Sequence, residues 1–215
     1  MEPREFQWPM SVLYSRFFAR AMEPAYAEVA RQAPIPPQAQ ALLDIGGADG
    51  RLALALAKQY PHLPRIVTAD ISQDLVTRAQ RKAREHGFSE RIHSEVQDVH
   101  NLNYPDDSFD VTMSFGSMHH WRDPVTGVKE LCRVLKPQGK LLIYDGNDRP
   151  SLKDMKRTVS TIEGSTIWTA LVYWMGSKDF LSRDEITGIV RDAGIKFLSI
   201  TWNGPLCLIG GTKEG

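Results

Sequence analysis

The sequence predicts a doubly wound α/β domain whose mostly parallel, seven-stranded sheet ends in an antiparallel C-terminal hairpin. Three observations carry that expectation. From residue 41 onward, short apolar runs alternate with segments of helical period, the pattern of a parallel sheet covered by helices on both faces. Acids and glycines punctuate the ends of those runs, where strands pass into helices. The last two apolar runs meet across Asn203-Gly204, a hairpin signal. At 215 residues the chain fits one domain with a full core.

Along the chain, "SVLYSRFFARAMEPAYAEVARQ" reads as helix, broken or restarted at Pro24, and "APIPPQ" as a stiff connector. Leu42 to Ile45 is a short buried strand, followed by a helix over 49–58. "RIVTAD" is a second strand closed by Asp70. Ser72 can cap the next helix, where Leu75, Ala79 and Ala83 make one apolar face before Gly87 ends it. "RIHSEV" leads as a third strand to Asp98, and "FDVTMSF" is a fourth after the turn-rich "NLNYPDDS". Asp123 and Pro124 open a helix carrying Val125, Val128, Leu131, Cys132 and Leu135. "KPQGK" then turns into "LLIYDG", the fifth strand. Ser182 to Glu185 matches a capping box, and Gly194 stops that helix before the hairpin of "IKFLSITW" and "LCLIGGTK". The single domain thus divides into an N-terminal helical extension (1–40), a core (41–146), an insertion (147–180) and a closing helix and hairpin (181–215).

Apolar residues at 42% and charged ones at 24% are those of a globular protein. The 26 basic and 26 acidic residues cancel, so the basic footprint of a nucleic-acid binder is missing. The densest basic cluster, Arg78, Arg81, Lys82 and Arg84, falls on the expected solvent face of a helix. No apolar run approaches the ~20 residues of a membrane span. "MEPREFQWPM" lacks the pattern of a signal peptide. Cys132 and Cys207 each sit in an apolar segment and read as buried free thiols. A cytoplasmic protein is expected.

In such a sheet, ligands bind outside the carboxyl ends of the strands, where the winding reverses. The first three strands each end in or just before an acid: Asp44, Asp70 and Asp98. Small residues after Asp44 let a ligand approach the backbone, and the helix that follows offers free N–H groups. Asp70 lies 24 residues past Gly46 (70 − 46), where an acid can accept both hydroxyls of a ribose. Asp98 is then placed for the exocyclic amine of an adenine. The glycines at 46, 47 and 50 do not have dinucleotide spacing, and no P-loop occurs.

"LLDIGGADG", "TADIS", "VQDVHNLNYPDDSFD", "SFGSMHHW" and "ELCRVLKPQGKLLIYD", in this order and spacing, resemble the successive motifs of class I S-adenosylmethionine-dependent methyltransferases. The resemblance covers roughly residues 40–146, with the closing helix and hairpin matching as well. It is nearest to the small-molecule group that includes quinone-ring C-methylating enzymes. It implies a Rossmann-like methyltransferase fold and S-adenosylmethionine as methyl donor. It also implies that Asp44, Gly46 and Gly47 meet the cofactor's methionine part, that Asp70 grips the ribose, and that Ile71 packs on the adenine. Asp98 and Val99 then read the adenine edge, and Ser114 lies near the sulfonium end.

The family's middle glycine is Ala48 here, so φ at this position decides how much strain the loop carries. Asp49, with Asp44, makes an acidic loop that suits a cationic cofactor better than a pyrophosphate. Methyl transfer by direct displacement to a small acceptor is the expected reaction. Of the pair His119 and His120, which the family often uses structurally, His120 is the expected substrate contact, and Tyr144 with Asp145 are further ones. No metal site is expected, because adjacent histidines rarely point the same way. Trp168, Tyr173, Trp174 and Met175 suggest an insertion that covers an apolar or aromatic acceptor. The N-terminal aromatics Phe6, Trp8, Tyr14, Phe17 and Phe18 suit a lid or, equally, a homodimer interface through the N-terminal helix. A non-catalytic sensor of the same cofactor, or a partner subunit, is the rival reading, and Ala48 is the feature that favours it.

Overall fold

Side chains alternate across each strand, so neighbouring residues commit to opposite faces of the sheet. Leu42 and Leu43 illustrate this: both are fully buried, yet they join different apolar clusters, one on each face. In a computed structural model of the chain, which describes residues 22–146, 180–203 and 206–214, that rule builds a three-layer α/β architecture.

In chain order the described elements are α1 (Glu23–Gln32), β1 (Ala41–Ile45), α2 (Arg51–Gln59), β2 (Arg65–Asp70), α3 (Gln73–Glu85), β3 (Ile92–Val96), β4 (Phe109–Phe115) and a 3-10 turn (Met118–His120). They continue with α4 (Pro124–Val134), β5 (Leu135–Gly146), α5 (Arg183–Ala193), β6 (Ser199–Asn203) and β7 (Leu206–Thr212). The seven strands order as β3-β2-β1-β4-β5-β7-β6. β1 pairs in parallel with both β2 and β4, so the winding reverses there and opens a crevice above the C-terminal end of β1. Apolar residues of α1, α2 and α3 pack on one face around Leu42, Ile66 and Met113. Those of α4 and α5 pack on the other around Leu43, Leu141 and Ile143.

Several local expectations hold. Pro24 lies in the first turn of α1. Asp123 caps α4 through the Thr126 N–H, and the Ser182–Glu185 capping box opens α5. Gly194 ends α5 at φ 69°.

Others are corrected. The first helix after the glycine loop starts at Arg51 rather than 49, because residues 46–50 are used up in the turn. The Ser72 hydroxyl makes no capping bond; its backbone N–H is instead drawn to Asp70. β5 begins at Leu135, which still pairs with Phe109 before a register shift, with Gln138 at φ 65° forming the turn. The closing hairpin holds at the sheet's end: β7 runs antiparallel between β5 and β6, leaving β6 outermost. The basic cluster on α3 is not all solvent-facing, since Lys82 reaches inward to an ion pair. Residues 1–21 and 147–179, with the expected lid, insertion aromatics and dimer contacts, lie outside the described residues, as does the 204–205 hairpin connection. Among the described residues, no helix is long and apolar enough to cross a membrane.

Cys132 and Cys207 are buried free thiols, and burial pushes both up to about 12. Neither should react with an aromatic disulfide reagent at about pH 8 while the protein is folded, and both should react after denaturation. Rapid labelling of the native protein would contradict this packing.

Candidate active site

The loop after β1 is shaped by three residues with positive φ: Gly46 at 68°, Ala48 at 47° and Gly50 at 78°. Gly46 and Gly50 have no room for a side chain. A Cβ on Gly46 would fall 2.0 Å from Ser117 Oγ, and one on Gly50 would fall 2.9 Å from Ala79 Cβ on α3. Gly47 is equally confined, since a Cβ there would meet Thr68 Oγ1 and Asp44 Oδ2. The turn therefore lies flat against β4, β2 and α3. Ala48 occupies the left-handed region itself, a strain of roughly 1 kcal/mol for a residue with a Cβ. Its N–H donates to Asp70 Oδ2 at 3.0 Å, which offsets that strain.

Asp70 closes β2 and joins three backbone segments. Besides Ala48, it accepts from the Ser72 N–H at 2.9 Å, and the Ile71 N–H also favours its charged form. Burial still pushes its carboxyl above the ordinary value, against those donors. Three backbone donors leave about one of its four lone-pair sites open, which a ligand hydroxyl can occupy.

Asp44 lies deeper, 1% exposed, on the same sheet face as Thr68, whose hydroxyl donates to it at 3.4 Å. Burial pushes its carboxyl up to about 7, the Thr68 bond opposing and the Asp70 charge adding to the rise. Asp98 follows β3 and is gripped by His100. The His100 N–H donates to Asp98 Oδ1 at 2.9 Å, and the ring Nδ1 meets the same oxygen. Because His100 Nε2 accepts the Asp123 N–H, the ring proton sits on Nδ1 and points at Asp98. Partial burial pushes Asp98 upward, but the His100 bonds hold it below the ordinary value.

The structure thus brings Asp44, Gly46, Gly47, Asp70 and Asp98 to the C-terminal edge of three adjacent strands. Ile71 is half-buried beside Asp70. Val99 is 7% exposed and sits in the core below α4, close to Gly127. Ser114, ending β4, is fully buried, and its Oγ has no hydrogen-bond partner among the described residues. That atom lies about 4 Å from where a Gly46 side chain would project, a polar group left over beside the loop.

The histidine pair follows β4. His119, not His120, is the organised histidine. Its Nδ1 lies 2.7 Å from Asp145 Oδ1 and its backbone N–H donates to Asp145 Oδ2 at 3.0 Å. The Gly146 N–H also donates to Asp145, which is 1% exposed. Facing a carboxylate oxygen, the His119 ring donates from Nδ1 and turns Nε2 away from Asp145. The Phe180 ring packs edge-on against His119 at 4.8 Å. His120 is exposed, its ring centroid 4.0 Å from that of His119. Tyr144 lies on the opposite sheet face, packed with Phe115 and Leu142, and burial pushes its hydroxyl up to about 12.

Asp49 also departs from expectation. It is 1% exposed and paired with Lys82 and, at 3.3 Å, with Arg51. Two cations offset its charge, so Asp49 does not make the loop acidic toward a ligand; Asp44 and Asp70 supply that character. Neither Lys82 nor His100 was legible as part of the site. His100 stands two residues from Asp98, a spacing that hints at a local bond, whereas Lys82 is 33 residues from Asp49 (82 − 49) with no local signal.

Two expected outcomes follow from the carboxylates and the strained alanine. Asp44 keeps its proton to higher pH in the folded protein (about 7) than its ordinary value of 3.8. The folded state therefore binds more protons between those values, and stability from this group is present below about pH 4 and lost as pH rises through about 7. Asp44→Asn, which mimics the protonated form, should gain stability over wild type as pH rises from about 4 to 8, read from urea midpoints. A pH-independent difference would remove the effect. Ala48→Gly should raise stability by no more than about 0.5 kcal/mol, because the strain relief of roughly 1 kcal/mol is largely offset by the added chain entropy, again by urea unfolding.

A family model for a methyltransferase domain matches residues 43–143. The Streptomyces halstedii protein named methyltransferase GfsG is 30% identical over 161 residues, which span 74% of this chain but only 54% of GfsG. The ubiquinone/menaquinone biosynthesis C-methyltransferase UbiE of Rickettsia rickettsii is 30% identical over 184 residues, covering 75% of this chain and 71% of UbiE. Among solved structures, one from Methanococcus maripaludis reported as an S-adenosyl-L-methionine-dependent methyltransferase superposes with a TM-score of 0.73 at 24% identity, covering 96% of this chain and 91% of that one. Together with the glycine turn and the strand-end acids, these likenesses establish that the chain belongs to the class I S-adenosylmethionine-dependent methyltransferases.

Proposed function

We propose that the protein transfers a methyl group from S-adenosylmethionine to a small apolar or aromatic acceptor that loses a proton in the reaction. The carrying observation is the His119–Asp145 pair, set at the ends of β4 and β5 beside the strand-end acids. When bound, S-adenosylmethionine supplies an electrophilic methyl on a positively charged sulfur. Asp70 would hold the ribose hydroxyls, Asp98 the adenine amine, with Ile71 and Val99 against the ring. Asp44 and the Gly46–Gly47 backbone would meet the methionine part, and the Ser114 hydroxyl, without a hydrogen-bond partner among the described residues, fits a polar group at that end.

With the donor already activated, the protein's work is to align the acceptor and exclude water. His119 Nε2 would take the proton that the acceptor loses as it receives the methyl group that S-adenosylmethionine supplies. Asp145 orients the ring and stabilises its charged form after proton transfer. His120 is a further acceptor contact in this reading; Tyr144, on the opposite sheet face and kept protonated by burial, is not a base and does not meet the acceptor at His119. The acceptor class is supported by the Phe180 edge at His119 and by the quinone-biosynthesis role in the name of the UbiE relative. A cytoplasmic location fits the two free thiols. The sensor reading loses its main support, since Ala48 is accommodated with its N–H bound to Asp70.

Calorimetry with S-adenosylhomocysteine, followed by turnover over a panel of phenols and quinols, tests the proposal. Asp70→Ala should weaken cofactor binding by about 1–3 kcal/mol. His119→Ala should lower kcat about 100-fold or more while leaving cofactor affinity nearly unchanged, with His120→Ala much milder. Cofactor binding without turnover on any acceptor would favour the sensor, and absence of binding would defeat both readings.

A further inference from the structure

We propose that Lys82 is a positioning residue for the cofactor loop: through Asp49 it holds the 46–50 turn in the shape that presents the Ala48 N–H to Asp70. This rests on the reading that S-adenosylmethionine binds at that turn.

The packing explains why a residue on α3 can reach the loop. Gly50 approaches α3 so closely that a Cβ would touch Ala79, and Lys82 follows Ala79 by three residues on the same helix face. Its ammonium pairs with Asp49, which is 1% exposed and stands directly after Ala48. Arg51 also touches Asp49, but through Nε at 3.3 Å, while its terminal nitrogen is engaged by Glu23 of α1. The closer partner of Asp49 is therefore Lys82. Burial pushes the Lys82 ammonium below its ordinary value, and Asp49 works against that shift.

Ala48 is the residue that needs holding. At φ 47° it sits where a side chain with a Cβ is disfavoured, and it is anchored on both sides. Its own N–H is bound to Asp70, and the next residue's carboxylate is bound to Lys82. Without the Lys82 anchor, Asp49 keeps the longer Arg51 contact and residue 48 is held less firmly against relaxing toward negative φ. That rotation turns its N–H away from Asp70, and the carboxylate loses a donor that fixes its orientation toward the ribose. A glycine at position 48 removes the preference for negative φ and so makes the loop less dependent on Lys82.

The test is a double-mutant cycle on the full chain, read as the dissociation constant for S-adenosylhomocysteine by calorimetry. Lys82→Met should weaken binding about tenfold in the wild-type background and less than about threefold in the Ala48→Gly background, a coupling of the size seen for residues in one network. Lys82→Arg should bind more tightly than Lys82→Met. A purely structural lysine would lower the melting temperature without this dependence on residue 48. Should Lys82→Met fail to fold, Asp49→Asn replaces it in the same cycle. Unchanged affinity on losing the pair, or the same loss in both backgrounds, overturns the proposal. A wild-type protein that binds no S-adenosylhomocysteine overturns the cofactor reading instead.

Discussion

The bond from the Ala48 N–H to the Asp70 carboxylate is the constraint on which the site depends. One side of it is a backbone conformation that alanine resists, and the other is a carboxylate that burial disfavours. Joined, they lock the turn after β1 to the end of β2, and the Ser72 N–H extends the lock to the start of α3. A buried acid satisfied by backbone donors is rigid as well as charged. A carboxylate held in this way loses less rotational entropy when it meets a ligand than a freely rotating one would.

Sheet geometry then separates the chemistry by face. Asp44 and Thr68 lie on the α1–α3 face, bonded to one another beneath the loop. Asp145, two residues beyond Ile143, points to the α4–α5 face, where it takes His119. The parallel strands bring both sets to one edge, so a ligand above β1 and β4 has acids beneath one end and an oriented imidazole near the other. Tyr144, one residue from Asp145, is sent to the far side by the same alternation.

Buried ion pairs add little net stability but hold geometry when both partners are present. Asp49 and Lys82 fit that description, with Lys82 bridging from α3 into the turn. The His100 bridge between Asp98 and the Asp123 N–H has a comparable role at the other end of the site. It fastens the acid after β3 to the start of α4, using a neutral imidazole whose two nitrogens face a donor and an acceptor. Both devices place the rigidity of the site in contacts between elements rather than within the loops.

The sequence by itself determined the strand and helix alternation, the caps at Asp123 and Ser182, and the three acids at one sheet edge. All of these are written in local period and in residues a few positions apart. It also pointed to Ala48 as the position where φ matters. Only the tertiary structure decided the rest. It showed that φ at Ala48 is positive, that Asp49 is offset by Lys82, and that His119 rather than His120 is oriented by a carboxylate. It also placed β7 inside the sheet and moved Tyr144 to the opposite face. The histidine and the ion pair share one physical reason. Each depends on a partner brought near by packing, 26 residues away for Asp145 and His119 and 33 for Lys82 and Asp49. No local pattern records which of two adjacent side chains will find such a partner.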